Sequence, residues 1–268
     1  MKDLIKIFKE HIDYRQQLVK LAKADIVKTY RGAALGWAWA VIKPAVTIFV
    51  YWFAVEIGLR VGKQVNGYPF FLWLIAGLIP WFYMNDMLTS GTESIRKNRH
   101  LVTKMKFPVA TIPTFVSMSK LAINLILIVL MIIIFWFLGY APDIYYLQIL
   151  FFIVISFVFW TVWAFFSSMI AAISKDFANL VKSFVTAIFW LSGIIWDPEQ
   201  ITVGWVKAIL KWNPVTYIAS GFRDSFINKV WFWQKSETLI CFLIVFAILA
   251  ILAMFTYKKL RKEIPDVL

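Results

Sequence analysis

The 268-residue sequence is poor in the residue types on which soluble enzymes rely. It has one cysteine and two histidines, and charged residues make up 16% of the chain, against ~25% in a typical soluble domain. A single cysteine excludes a disulfide framework within the chain. Two histidines, without an HExxH or CxxC motif, provide no ligand set for a metal. We therefore expect neither a metal site nor catalytic residues.

A nucleotide-binding motif is also missing. The nearest string to a Walker A motif, over residues 58–64, has the wrong spacing and lacks the final serine or threonine. The chain therefore cannot hydrolyse ATP by that route. If ATP and Mg²⁺ drive its function, another protein has to bind them, and we expect no cofactor in this chain.

Apolar and aromatic residues dominate what is present. Hydrophobic residues make up 61% of the chain and aromatic residues 18%, including 14 tryptophans. Tryptophan at this level suits a protein that lines two membrane–water interfaces. The 28 lysines and arginines exceed the 15 acidic residues by 13. In so apolar a chain, this excess indicates cytoplasmic loops and contact with anionic membrane lipids, and no nucleic-acid partner.

Six segments are long and apolar enough to cross ~30 Å of hydrocarbon as helices. They cover residues 37–59, 68–88, 109–138, 145–174, 177–196 and 239–257. The fifth contains Lys182, whose role the sequence leaves open. Lysine and arginine are concentrated before the first span, between the second and third, and after the last, which predicts that both termini lie in the cytoplasm. The predicted fold is an all-α polytopic membrane protein with six transmembrane helices.

Residues 1–34 form a predicted amphipathic helix that precedes the spans. Its apolar face recurs at helical spacing through Leu4, Phe8, Ile12, Val19, Ala22, Ile26 and Tyr30. A helix of this kind lies in the interface plane of a membrane. It serves either as a membrane-surface anchor alone or also as an access path for an anionic lipid head group. The residues that would guide a diphosphate there are Arg15, Lys20, Lys23, Lys28 and Arg31.

The loop between spans two and three has a helix-start signal, because Ser90 and Glu93 have the spacing of a capping box. The signal predicts a short basic helix over residues 91–102 on the cytoplasmic side. The simpler interpretation is a solvated basic loop that follows the positive-inside bias. The functional interpretation is a coupling helix that docks on a cytoplasmic partner. Its predicted contact residues are Ser90, Glu93, Ser94, Ile95, Arg96, Lys97, Arg99 and His100.

The segment over residues 197–236, predicted to be extracellular, has two helix starts, one at Asp197 and one at Asn213, each followed by proline. Each helix that follows is apolar but too short to cross the bilayer. Such a pair either rests on the outer leaflet or forms a re-entrant hairpin against protein or a water-filled cavity. A re-entrant hairpin here would gate a translocation path. The gate residues are then Trp212, Asn213, Pro214, Tyr217, Phe222 and Arg223.

Four strings carry a resemblance to a known family. They are TYRGAALGWAWAVIKP over 29–44, AGLIPWFY over 76–83, LVTKMKFPVATIP over 101–113 and NPVTYIASGFRDSFI over 213–227. With the order of the helices, they make the chain similar to the transmembrane subunit of type-2 ABC exporters, in the branch that exports polysaccharides. Residues 35–268 would then be one six-helix exporter domain. A fifth string, YWFAVEIGLRVGK over 51–63, most resembles the wall teichoic acid permeases.

The resemblance implies a specific assembly and cargo. Two copies of such a permease pair with two copies of a separate P-loop ATPase, which binds ATP and Mg²⁺. The coupling helix lies in a cleft of that ATPase, and the outer hairpin gates the exit. The cargo is a polymer on a polyprenyl-diphosphate carrier, which crosses the bacterial plasma membrane. Wall teichoic acid is the expected polymer, and O-antigen or capsular polysaccharide is the alternative. A drug or lipid exporter and a membrane transferase are more distant alternatives.

Overall fold

The computed structural model describes residues 2–60, 64–105 and 107–267. Residues 61–63, at the end of the string over 51–63, and Lys106, in the predicted basic loop, lie outside these ranges. The described part is mostly helical, with one hairpin of two short strands, β1 (Gln64–Val65) and β2 (Tyr68–Pro69). Its helices are α1 (Lys2–Asp13), α2 (Arg15–Tyr30), α3 (Trp39–Trp52), α4 (Phe70–Asp86), α5 (Ser94–Lys97), α6 (Arg99–Thr103), α7 (Ile112–Phe137), α8 (Gln148–Ile173), α9 (Lys175–Leu191), α10 (Gly204–Lys211), α11 (Pro214–Arg223), α12 (Ser236–Leu260) and α13 (Ile264–Val267).

Within the described ranges, five helical stretches are long and apolar enough to span a membrane. The architecture is that of a multi-pass membrane protein. The stretches overlap the first four and the last of the six predicted spans. They are Gly36–Gly58, Phe70–Gly91, Val109–Phe137, Ile144–Ile173 and Ser236–Leu260.

The predicted fifth span, over 177–196, is longer than the helix that forms there. Helix α9 has 17 residues, which is about 26 Å at ~1.5 Å per residue and falls short of ~30 Å of hydrocarbon. The helix ends at Leu191 because the chain turns at Gly193. The φ of Gly193 is 66°, a left-handed conformation that glycine adopts without steric cost.

Helix α4 forms the centre of the bundle. All residues from 72 to 80 are buried. Within the stretch Phe70–Gly91, 78% of the most apolar 18 residues are buried inside the protein. Helices α3, α7 and α11 contact α4, and α8 contacts its continuation, a π-helical turn over Met87–Gly91. In the stretch Gly36–Gly58, which contains α3, only 6% of the corresponding 18 residues are buried. One apolar helix is therefore enclosed by the others, while α3 is left largely uncovered.

The predicted N-terminal helix is two helices, because the backbone leaves the helical region at Tyr14. Along α2, Leu18 and Ala22 are buried against protein, and Ser119 of α7 donates a 2.5 Å hydrogen bond to Asp25. The apolar side chains of α1 are instead exposed, Phe8 by 68%. The predicted apolar face is thus divided, because its members on α1 are exposed and Ala22 on α2 is buried. Val19, which belongs to the predicted face, is 42% exposed, and Leu18 beside it is buried instead.

The basic segment (residues 93–105) also differs from the prediction. The π-helical turn that extends α4 contains Ser90, so Ser90 lies inside a helix and caps nothing. The predicted helix over 91–102 is split at Asn98 into α5 and α6. At ~100° per residue, Ile95 and Leu101 would point about 120° apart on one continuous helix. The break lets both side chains enter the same hydrophobic cluster.

The α10–α11 hairpin (residues 197–228) is asymmetric. Asp197 caps only a 3₁₀ turn over Pro198–Gln200, and α10 begins later than predicted, at Gly204. Asn213 caps α11 as the sequence predicts, because its side-chain oxygen accepts a 2.9 Å hydrogen bond from the backbone of Val215. Helix α10 is largely exposed, whereas α11 is buried against α4 and α8. Only α11 therefore has the protein-enclosed backbone of a re-entrant segment.

Replacing Leu18 by alanine tests whether protein contacts hold α2. Deleting buried methyl groups from a well-packed site costs about 2–5 kcal/mol, and Leu18 is 4% exposed. We expect L18A to accelerate amide hydrogen exchange across α2, measured by mass spectrometry on the purified protein. The matched control is Val19→Ala, at a side chain that is 42% exposed. Equal exchange in the two variants would contradict the arrangement.

Candidate functional site

A glutamate joins the basic segment to α9. The Glu93 carboxylate forms a 2.8 Å ion pair with Lys97, which lies one helical turn further along the chain. It forms a second, shorter ion pair with Lys182. Partial burial raises the pKa of a carboxyl group, but hydrogen bonds from Lys182 and Lys97 outweigh it and hold the pKa of Glu93 below its ordinary value. Both ion pairs are therefore present at neutral pH and are lost only as the pH falls through that lowered pKa. Lys182 thus has a partner on another element.

The basic segment presents only part of its predicted contact surface. Ser94 and Ile95 are buried, and Arg96 donates a 3.3 Å hydrogen bond to the carbonyl oxygen of Ala171 in α8. Ser90 and Glu93 are half-buried. The exposed members of the predicted set are Lys97, Arg99 and His100.

Sequence reasoning missed two further residues of this surface. Lys104 is exposed, and Met105 is 66% exposed. The available signal was a methionine placed between lysines in the string KMKFP.

The basic residues of α2 are all exposed, but they do not form one site. Lys28 faces a cavity of about 320 Å³ that α2 shares with the basic segment and α7. Lys23, Lys28 and Arg31 border a shallow depression at the end of α2. Arg15 and Lys20 line none of these cavities. The structure therefore brings one of the five predicted diphosphate residues, Lys28, next to the basic segment.

A buried arginine holds the α10–α11 hairpin to the bundle. Arg223 is 3% exposed and donates to the carbonyl oxygen of Gly193 at 2.7 Å and to that of Ile194. Its guanidinium carbon lies 3.5 Å from the ring centroid of Trp73, in a cation–π contact. A Cβ on Gly77 would overlap the guanidinium, so glycine leaves the space for it. One side chain thus connects α11, α4 and the turn after α9.

The other predicted gate residues have mainly internal contacts. Asn213 donates a 2.8 Å hydrogen bond to the hydroxyl of Ser192, next to the turn at Gly193. Tyr217 stacks on Phe242 of α12 at 4.8 Å, and Phe222 is buried. Pro214 begins α11, and Trp212 is 47% exposed. Sequence reasoning missed Trp73 and Gly77, which lie far from the hairpin along the chain, and Ser192 and Gly193, which fall just before it inside the predicted fifth span.

A cluster of charged side chains lies between the α10–α11 hairpin and the start of α12. Lys235 lies between Asp224 at 2.8 Å and Glu199 at 2.7 Å, and Lys211 pairs with Glu237 at 2.6 Å. Burial alone would lower the pKa of Lys235, but the two carboxylates outweigh it and raise that pKa. These pairs surround a cavity of about 490 Å³ between α10, α11 and α12. The charges satisfy one another and fix the ends of the hairpin.

Comparison with known proteins identifies the family. The family model described as ABC-2 type transporter matches residues 16–227, more than half of the chain.

The chain belongs to the ABC-2 type transporter family.

Curated relatives match along nearly the whole chain. An O-antigen export system permease protein RfbA of Myxococcus xanthus is 22% identical over 98% of this chain and 99% of its own length. Two proteins of the same name from Klebsiella pneumoniae are 26% and 24% identical, each over 94% of both chains. ABC-2 permeases are transmembrane components of transporters, which agrees with the multi-pass architecture and with the basic segment at one end of this permease.

Replacing Arg223 by lysine tests the link between hairpin and bundle. Lysine keeps the charge but lacks the planar guanidinium group, which donates to two carbonyl oxygens and stacks on an aromatic ring at the same time. We expect R223K to accelerate amide exchange in α11 and to lower the melting temperature of the purified permease. Arg99→Lys, at an exposed position of the basic segment, is the control. Unchanged exchange in α11 of R223K would show that the hairpin is held by other contacts.

Proposed function

We propose that this permease is the transmembrane subunit of an ATP-driven exporter that moves a polyprenyl-diphosphate-linked polysaccharide, of the O-antigen or capsular class, across the bacterial plasma membrane. The observation that carries the proposal is the family match together with three relatives named as O-antigen export permeases. The chain has no Walker A motif, so a separate P-loop ATPase binds ATP and Mg²⁺ and supplies the energy.

The proposed topology has the basic segment and both termini in the cytoplasm. It needs α9 to make a sixth crossing, although the helix is short. Lys182, in the middle of α9, pairs with Glu93, and the turn after the end of α9 contacts Arg223 beside Trp73. Since α4 runs from Trp73 toward Glu93, the part of α9 that follows Lys182 runs in the opposite direction to α4. The turn over residues 192–196 completes the crossing inside protein, where irregular backbone is tolerated.

A second copy of the permease is the proposed partner within the membrane. Helix α3 is largely uncovered, and α9 exposes Leu180, Phe184 and Trp190. Two such faces from two copies would enclose a path lined with aromatic side chains. Aromatic faces suit a sliding glycan because they offer flat contacts without a fixed stereochemical code.

The basic segment is the proposed docking site for the two ATPase copies. Its exposed face carries Lys97, Arg99, His100 and Met105, while Ile95 anchors it in the core. Movement of the ATPase would reach α9 through the Glu93–Lys182 pair. The α10–α11 hairpin would close the outer end of the path, since Arg223 connects it to the turn that ends α9.

Wall teichoic acid is the second candidate polymer, supported by the string over 51–63. Reconstitution separates the two. With its ATPase in proteoliposomes, the permease should translocate a lipid-linked polysaccharide in the presence of ATP, and that substrate should stimulate ATP hydrolysis more than lipid-linked teichoic acid does. The permease without the ATPase is the control. Stronger stimulation by teichoic acid would reverse the assignment, and transport of neither polymer by an assembled complex would contradict the proposal.

Replacing Glu93 by glutamine tests the coupling route. E93Q loses both ion pairs. We expect the complex still to assemble and to hydrolyse ATP, while the transport rate falls about tenfold. A tenfold fall corresponds to a coupling energy of ~1.4 kcal/mol. Lys182→Met should act similarly, and the double variant should be no worse than either single one if the two residues act as a pair. The matched control is Glu10→Gln, which removes an exposed Lys6 pair on α1. Normal transport in E93Q would refute the route.

A further inference from the structure

One cavity between α2, the end of α4, α5 and α7 is strongly basic. This lysine cavity has a volume of about 320 Å³. Three lysines face it against one aspartate, so its lining carries a net charge of about +2 at neutral pH. Its lining residues are Asp25, Lys28, Thr29, Ser90, Ser94, Lys97, Asn98, Val116 and Lys120.

The lysines are incompletely neutralised by the chain itself. Lys97 shares Glu93 with Lys182, and Lys120 lies 3.8 Å from Asp86, a long separation for an ion pair. Lys28 forms no ion pair within the described ranges, and Asp25, which keeps its negative charge while it accepts a hydrogen bond from Ser119, is the single carboxylate among the lining residues. The lysine ammonium groups of the cavity are therefore only partly neutralised by carboxylates of the chain, and they would attract an added anion.

A buried hydroxyl points to a ligand independently of the charge. Ser94 is 1% exposed, lines the lysine cavity and has no hydrogen-bond partner among the described residues. A buried polar group without a partner costs free energy, so such groups are normally satisfied by protein, water or ligand. Ser90 adds a second hydroxyl group to the same wall, whereas the hydroxyl of Thr29 there already donates to the carbonyl oxygen of Asp25. Hydroxyl and ammonium donors around one space suit a phosphate oxygen.

A second cavity adjoins the first and is partly apolar. It has a volume of about 280 Å³ and shares Thr29 and Lys120 with the lysine cavity. Its remaining wall is mixed: apolar side chains, among them those of Trp39, Phe82 and Leu127, alternate with Lys43, the Asp86 carboxylate and the polar side chains of Thr47, Asn85 and Asn124. The pair of cavities therefore offers cations in one part and a wall with apolar patches in the other, at the level where α2 meets the spans. Free phosphate would use only the first part.

We propose that the lysine cavity binds the phosphate or diphosphate head group of a membrane lipid, with the first part of the lipid chain in the adjoining cavity. Lys28, Lys120 and Ser94 donate to the phosphate oxygens. The head group then touches α2, α7 and the basic segment together, so its binding would bias the position of that segment. This last consequence rests on the proposed function, whereas lipid binding itself does not.

The test measures lipid binding to the full permease in phosphatidylcholine nanodiscs by native mass spectrometry. The probes are a polyprenyl diphosphate, phosphatidylglycerol and inorganic pyrophosphate. We expect the first to bind most tightly, and the double variant K28Q/K120Q to weaken it about tenfold or more through lost charge-assisted hydrogen bonds. Ser94→Ala should weaken it several-fold. Lys259→Gln, an exposed lysine at the same end of the bundle, is the matched control.

The three probes identify the source of the phosphate. Equal binding of phosphatidylglycerol would support the site and assign it to bulk anionic lipid. Equally tight binding of pyrophosphate would overturn the role of the lipid chain. Unchanged binding of every probe by K28Q/K120Q and by Lys28→Gln alone, which alters only an exposed side chain, would overturn the site. Because these readouts require neither ATP nor transport, they fail or succeed separately from the exporter function.

Discussion

A single enclosed helix, α4, connects the two ends of the molecule. Its residues 72–80 are buried on all sides, and α3, α7 and α11 are arranged around it. At one end the ring of Trp73 supports Arg223, and at the other a π-helical turn leads directly to Glu93. Because a membrane offers no water to satisfy displaced polar groups, the buried Arg223 has to find its partners in the protein. The hairpin and the basic segment therefore depend on the same helix.

Helix α9 runs beside α4 and shares both contacts. Lys182 reaches Glu93, and the turn after Leu191 offers the carbonyl oxygens that Arg223 binds. In the exporter that we propose, a displacement of the basic segment would act on α9 and α4 together and so on the hairpin at the other end. These contacts also explain why the charged side chains of Lys182 and Arg223 are retained in so apolar a bundle, where a charge without polar partners is costly.

The sequence predicts five of the six apolar spans and the Asn213 cap because these depend on neighbouring residues. It fails where distant contacts decide the structure. The Ser90–Glu93 spacing resembles a capping box, yet the buried environment of Met87 and Leu88 continues α4 past it, and Glu93 binds Lys182 from 89 positions away. The sequence indicates that Arg223 belongs to a gate, but its partner Trp73 lies 150 residues away. The N-terminal helix is divided at Tyr14 and buries Leu18 on its second part, and periodicity alone reveals neither feature.

Side-specific labelling tests the central claim, which is that α4 connects a cytoplasmic docking surface to an extracellular hairpin. In a Cys241→Ala background, single cysteines replace Lys104, Lys207 or Lys259 in right-side-out membrane vesicles, and an impermeant maleimide is added before or after permeabilisation. We predict labelling of Lys207→Cys in sealed vesicles, and labelling of Lys104→Cys and Lys259→Cys only after permeabilisation. Labelling of Lys104→Cys in sealed vesicles would contradict the account.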